Sequence, residues 1–407
     1  MPDKNLSPNQ LAWKKLQHNT PAVIGLWIIA LSVLIAVLGY TITPDSTPDV
    51  NDQNPTIALK PPGFSIKTLL VQKKREILPA NFFYTLLYGA TSPVEKFPVN
   101  EISMVSDSIV FEKYAGENPT THTLVKGKIQ TLHLVDVIAA TNANKSGIEK
   151  NSDSYSYIGS DNSKHDIKIS EAQTKAQAQI IQKTFWLGTD NFGRDNLSRL
   201  ILGVRVSLFV GLIAVIISLT LGVFLGALAG YSGGRTDSLI MLLINTVWSI
   251  PTILLVFAIV LALGRGVGII FLAVGLTMWV DVARLVRGQV LSLKQMSFVE
   301  AAKSMGYSTS RIILRHILPN ILGPVMVLAA SNFATAILIE SGLSLIGFGI
   351  QPPTPSWGTM LNENYGYAIG GKVFLALIPA CAIVVLVLAF NLVGNGFRDA
   401  LDVKIKD

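Results

Sequence analysis

Six stretches of this chain are apolar and about 20 residues long, enough for a helix to cross a bilayer, and they limit what it can fold into. They are 22–40, 207–229, 238–263, 267–283, 321–339 and 373–393. The fourth is the weakest, being short and carrying Asp281. Only 14% of the 407 residues are charged, against roughly a quarter in a soluble protein. Mean hydropathy is +0.47. The formal net charge is +7, yet no basic stripe is interleaved with aromatics. The excess therefore reads as a topology signal rather than as nucleic-acid binding. The single cysteine, Cys381, makes no internal disulfide and does not report the compartment.

Lys14 and Lys15 precede the first span, as in a signal peptide. The apolar region is too long for one, and no small-x-small site follows Tyr40 cleanly, so a retained anchor is expected. The segment 41–205 is polar and rich in Pro, Asn, Ser and Lys. Residues 106–114 and 122–138 alternate in part like strands, and 171–183 read as a short polar helix. A structureless loop of this length is unusual, so a small folded α+β insert is expected.

Short loops set orientation. Residues 284–320 carry Arg284, Arg287, Lys294, Lys303, Arg311 and Arg315 against only Glu300. The positive-inside rule places this loop in the cytoplasm, and six crossings put both termini on the same side. The insert then lies outside, in the periplasm or its equivalent.

The stretch Gly188–Asp195 has the glycine spacing of a phosphate-binding loop. Arg194 stands where that loop has its lysine, and Asp195 where it has a magnesium-ligating hydroxyl. Asp190 and Asp195 repel a triphosphate, so the expected role is a turn whose Asp190 or Asp195 caps the helix leading into span two.

The informative segment is 300–320, EAAKSMGYSTSRIILRHILPN. It reads as two short helices broken at Gly306, with Ser308 capping the second. Ala301 and Ala302 give a small, smooth face, and Pro319 marks the turn back into span five. The segment resembles the EAA loop of ABC-importer permeases, E-A-A-x3-G-x9-I-x-L-P. Glu300, Ala301, Ala302, Gly306, Leu318 and Pro319 match, and His316 replaces the usual isoleucine. Residues 185–199, 340–358 and 396–402 look like corresponding stretches of C-type membrane subunits of oligopeptide/dipeptide importers. Residues 41–184 are longer than that family usually carries, and the resemblance says nothing specific about them.

The resemblance implies an all-α polytopic membrane protein of about six transmembrane helices; the α+β insert expected from the sequence itself falls between helices 1 and 2. Its parts are 1–40 (tail and first helix), 41–185 (insert) and 186–407 (five-helix permease core with coupling loop 284–320). It implies no catalytic residue and no cofactor on this chain, since ATP and magnesium belong to partner subunits. The implied partners are a second permease, two ABC ATPases gripped through 300–319 by helix-in-groove docking, and a solute-binding protein. The implied location is the inner membrane. Peptides are the implied solute, with nickel chelates, opines or peptide antibiotics as alternatives.

Other residues admit two readings. Gly222, Gly226 and Gly230 recur every four residues, which suits close helix packing. Pro251 interrupts span three and kinks it, as a hinge or a static bend. Asp281 is an intramembrane acid, functional by default, or paired with Arg284 on the same face. Glu340 either lines the outer mouth or packs, and Trp357 anchors at the interface. His18, His122, His133 and His165 lack metal-ligand spacing, so no metal is expected. An ion-driven transporter needs paired intramembrane charges and repeated halves, and no clear repeat is present. A membrane-anchored binding or sensor domain leaves five spans and the coupling loop without a role.

Overall fold

The computed structural model describes residues 8–75, 81–118, 121, 123–142 and 147–401. His122 and Asp402 lie outside them. The described chain forms two compact units. One comprises Met1–Val37, Leu202–Tyr365 and Ala376–Asp407, and the other Leu38–Ile201 with Gly366–Leu375.

The first unit is helical because long apolar segments can satisfy their backbone groups only internally. After α1 (Pro8–His18) come α2 (Thr20–Ile42) and, beyond the second unit's sheet, α6 (Asn196–Ser232), α7 (Gly234–Trp248), α8 (Thr252–Leu263) and α9 (Val267–Leu293). Then follow α10 (Ser297–Ser304), α11 (Thr309–Ile312), α12 (Leu318–Leu345), α13 (Trp357–Ile369) and α14 (Phe374–Leu401). Five helical runs are long and apolar enough to cross a membrane, or six if α7 and α8 count as one span.

Helix α9 is the centre, with 61% of its most apolar window buried against 17% for α2. Its valines face two cores. Val274, Ile270 and Met278 meet Val256 and Val260 of α8 and Ala336 and Leu343 of α12. Val282, Val286 and Val290 meet Val299, Ala302, Ile312 and Ile317. The α6 glycines make the seam with α9. A Cβ on Gly222 would lie 2.4 Å from the Cβ of Val282, and one on Gly226 2.5 Å from the Ala283 carbonyl oxygen. One on Gly230 would lie 2.9 Å from the Arg287 carbonyl oxygen. On the other side of the bundle, Phe333 of α12 stacks on Phe390 of α14 at 3.8 Å, over Gly211 of α6.

The second unit holds a five-stranded antiparallel sheet, order β4-β3-β2-β1-β8, built from Ile129–His133, Ser108–Lys113, Val94–Val105, Phe64–Gln72 and Ile180–Phe185. A second sheet joins β5 (Glu149–Lys150), β6 (Ser154–Ile158) and β7 (Lys164–Lys168). Helices α4 (Leu134–Ile138) and α5 (Ile169–Ala178) add Leu134, Val137 and Ala176 to a core with Leu69, Val99, Ile109 and Phe111. A further helix, α3 (Phe82–Tyr88), buries none of its residues. The helix expected over 171–183 ends at Ala178, and 180–185 form β8, because alternation there pairs residue by residue with β1.

The glycine seam yields a direct test. Gly226→Val overpacks α6 against α9 and should cost about 1–3 kcal/mol, read as a lower melting temperature of the detergent-solubilised chain.

Candidate functional site

The basic segment 284–320 is not one loop. Arg284 and Arg287 belong to α9, which continues to Leu293, past the expected end of span four at 283. Helix α10 ends in a Schellman motif. The Tyr307 N–H donates to the Ala302 carbonyl at 3.2 Å and the Gly306 N–H to Lys303 at 2.9 Å. Gly306 takes φ +77°, a backbone state that suits glycine. Ser308 occupies the N-cap position of α11 but makes no side-chain capping bond, a correction to the sequence reading.

Helix α10 has two apolar faces. Val299 and Ala302 are buried in the core shared with α9 and α12. Phe298, Ala301 and Met305, spaced three and four apart on another face, are exposed, Met305 by 62%. Glu300 is exposed beside them. Spacing alone made Ala301 and Ala302 equivalent, yet the structure buries Ala302 and leaves Ala301 open.

His316 has a local role. Its ring stacks on Tyr307 at 5.8 Å and 19°, and the Arg311 guanidinium lies 4.1 Å from the centre of the Tyr307 ring. Residues Ile313–Ile317 form a π-helical turn, with the Leu318 N–H donating to the Ile313 carbonyl. Pro319 therefore does not turn the chain back. It lies in the first turn of α12, in a 37-residue helical run from Thr309 to Leu345. Proline there has no N–H to give and its ring crowds the preceding turn, and the wider turn stands directly before it. Leu318 is half-buried and packs against the α9–α12 core.

The pathway candidates are rearranged. Pro251 does interrupt the third apolar stretch, and the interruption is a 90° break between α7 and α8. Asp281 and Arg284 form no ion pair with each other. Arg284 instead lies over Trp248 at 4.0 Å and donates to Asn245 Oδ1 at 3.4 Å. Asp281 lines a cavity of about 150 Å³ at the elbow, with Trp248, Pro251 and Thr277. The bidentate pair is Arg287 with Asp237 of α7, at 2.6 and 2.7 Å. Both charges stood in the sequence, but only folding sets them opposite each other. Glu340 is fully buried and accepts from Ser344 Oγ at 2.7 Å. Ser344 Oγ in turn accepts the Ile350 N–H at 3.2 Å. Trp357, expected at the interface, is 3% exposed and packs on Gly203 of α6, whose lack of a side chain makes room for the indole.

The loop Gly188–Asp195 is structural. Asp190 is buried and accepts from the Phe192 and Arg194 N–H groups, both at 2.9 Å. It also accepts from Arg194 Nε and Arg199 Nη1, both at 2.6 Å. Gly188 and Gly193, at φ +71° and +72°, let backbone from residues 54–62 come close. Asp195 caps α6 by accepting the Ser198 N–H at 2.9 Å. Burial pushes the Asp195 carboxyl above the usual carboxylate range, against the Ser198 hydrogen bonds that lower it. Among the described residues no His, Cys, Asp and Glu group could hold a metal ion.

A multi-span helical bundle with a short two-faced helix between α9 and the run Thr309–Leu345 is the architecture of a polytopic membrane protein. Residues 222–407 match the family described as binding-protein-dependent transport system inner membrane component, and residues 7–62 match the N-terminal TM domain of oligopeptide transport permease C. The dipeptide transport system permease protein DppC of Bacillus subtilis is 42% identical over 221 residues, 54% of this chain and 69% of that protein. The oligopeptide transport system permease protein OppC of the same organism is 39% identical, covering 55% and 73%. The glutathione transport system permease protein GsiD of Escherichia coli O6:K15:H31 is 45% identical, covering 54% and 73%. An inward-facing MetNI methionine ABC transporter structure aligns at TM-score 0.42 and 20% identity, over 50% of this chain and 97% of that one. The chain belongs to the inner-membrane permease family of binding-protein-dependent ABC importers. It is a transport subunit and not an enzyme.

Two outcomes follow from these geometries. Gly306→Ala, at positive φ, should cost about 1–3 kcal/mol locally, seen as faster hydrogen exchange over 297–312. Asp190→Ala leaves two buried guanidinium groups without their carboxylate and should cost about 3–5 kcal/mol, seen as a lower melting temperature.

Proposed function

We propose that this permease pairs with a second homologous permease to form the pathway for peptides handed over by an extracytoplasmic solute-binding protein. Two ABC ATPases bind on the cytoplasmic side and hold the ATP and magnesium, and this chain holds no cofactor. The observation that carries the reading is α10. Its inner face is anchored in the α9–α12 core while Phe298, Ala301 and Met305 stay open on the other. This is the form a helix takes when it seats in a partner's groove.

Peptide is the solute because the relatives named above are permeases for dipeptides, oligopeptides and glutathione. The basic residues of 284–320 support a cytoplasmic position for α10 and both termini. On that orientation residues 41–185 form an extracytoplasmic insert, between the first helix (1–40) and the permease core (186–407).

Force applied at α10 has a short route into the bilayer. The stack of Tyr307 on His316 joins the Gly306 turn to the helical run Thr309–Leu345. At 1.5 Å per residue that run is about 55 Å long, and Glu340 and Ser344 lie near its far end. Closure of the ATPases moves α10, and the helices rock between inward-open and outward-open states. The α7–α8 elbow, with Pro251, Asp281 and Arg284 around it, is the pathway-side element of this motion.

Co-purification from membranes tests the coupling site. The native chain is expected to bring an ATPase subunit with it, and a Glu300→Lys, Gly306→Trp variant should lose it while still inserting. Retention of the ATPase by the variant would overturn the assignment of α10.

A further inference from the structure

The helix α3 reads NFFYTLLYG with its caps, and four of its aromatic rings point into open space. Phe82 is 63% exposed, Phe83 70%, Tyr84 56% and Tyr88 60%. The rings are ordered against each other and not against a core. Phe82 meets Phe83 edge-on at 5.7 Å, and Tyr84 tilts on Tyr88 at 5.1 Å. The helix itself is well made. Asn81 caps it by accepting the Phe83 N–H, and the Gly89 N–H closes it on Thr85 at 2.9 Å. A folded element that shows this much aromatic surface marks a contact with something apolar.

Its position identifies the contact. Gly89, at φ +79°, lies so close to the end of α2 that a Cβ there would be 2.8 Å from the Tyr40 ring and 2.7 Å from the Ser46 carbonyl oxygen. The Ala90 N–H donates to that same Ser46 carbonyl at 2.9 Å. Tyr40 is further held by the Asp49 N–H, which donates to its hydroxyl at 3.1 Å. Tyr40 stands two residues before α2 ends at Ile42, and α2 is a candidate membrane span of mean hydropathy 2.7. Seven residues at 1.5 Å each make about 10 Å of helix. All of α3 therefore lies within about one helix length of where α2 leaves the hydrocarbon. The polar zone flanking that hydrocarbon is about 5–8 Å thick per leaflet, and it is where aromatic side chains collect.

We infer that α3 is an interfacial anchor whose aromatic rings lie in the lipid headgroup region beside the exit of α2. Phe82 and Phe83 reach toward the acyl chains, while Tyr84 and Tyr88 keep a hydroxyl in reach of headgroups and water. The Gly89–Tyr40 contact fixes the depth of the anchor against the span. The inference rests on α2 crossing the membrane and not on the orientation or partners proposed above.

Collision spectroscopy on the whole chain in phosphatidylcholine bilayers tests it. A nitroxide is placed at Phe83→Cys on a Cys381→Ser background. Ser152→Cys, in an exposed turn, serves as the water control, and Val33→Cys on α2 as the lipid control. The expected result at 83 is an oxygen-to-nickel-chelate collision ratio severalfold above that at 152 and below that at 33. A ratio equal to that at 152 would mean α3 faces water, and low collision with both reagents would mean another protein covers it. Either result overturns the inference. A water-like ratio at 33 would overturn the membrane placement of α2 itself.

Discussion

Every backbone group that enters hydrocarbon must find its partner inside the protein, and the shape of the helical unit follows from how it meets that demand where helix stops. At the α7–α8 break, Ser249 N–H returns to Asn245 at 3.0 Å, Ile250 N–H to Val247 at 3.2 Å and Leu254 N–H to Pro251 at 2.9 Å. Ser249 Oγ donates to the Thr246 carbonyl at 2.8 Å. At the turn after α12, side chains take over. Glu340 receives Ser344, Ser344 receives Ile350, and Asn362 Nδ2 donates to the Leu345 carbonyl at 2.5 Å. A buried carboxylate among hydroxyl groups is costly unless hydrogen-bonded. Here it sets the hydroxyl that accepts the returning backbone.

The second unit satisfies its backbone with sheet ladders and holds one buried charge cluster. Asp190 accepts two backbone and two guanidinium donors within ten residues of chain. The stretch is woven into 54–60 by Asn54, Leu59 and Thr189 backbone bonds. What looks like a nucleotide loop in one dimension is a clasp in three. Its glycines serve close approach of protein backbone rather than of phosphate, and its arginine faces inward.

Much of the helical unit was legible because its signals are local. Apolar length marked the spans, and four-residue spacing marked the α6 glycine seam. Gly306 announced a helix end that its positive φ then made. What escaped depended on distance in sequence. Asp281 and Arg284 share a helix face, yet Trp248 and Asn245 of α7 take the guanidinium, and Asp237 takes Arg287. Pro251 announced a disturbance, but not a right-angle bend after which Val256 and Val260 of α8 share a core with Ile270, Val274 and Met278 of α9. Pro319 looked like a stop, and a widened turn lets the helix continue through it. His316 departed from a familiar pattern, and only the fold shows Tyr307 beneath it. The open face of α10 was half legible, since spacing groups its residues but does not say which face is buried.

In the five-stranded sheet the first strand along the chain, β1, pairs with the last, β8. Phe64 at the start of β1 sits opposite Phe185 at the end of β8, and the two rings stack at 6.2 Å. A module whose two ends meet this way behaves as a cassette. Material added between them lengthens the sheet or its loops without asking the flanking helices to move. Length can therefore change inside the sheet domain while the two ends of its chain stay together.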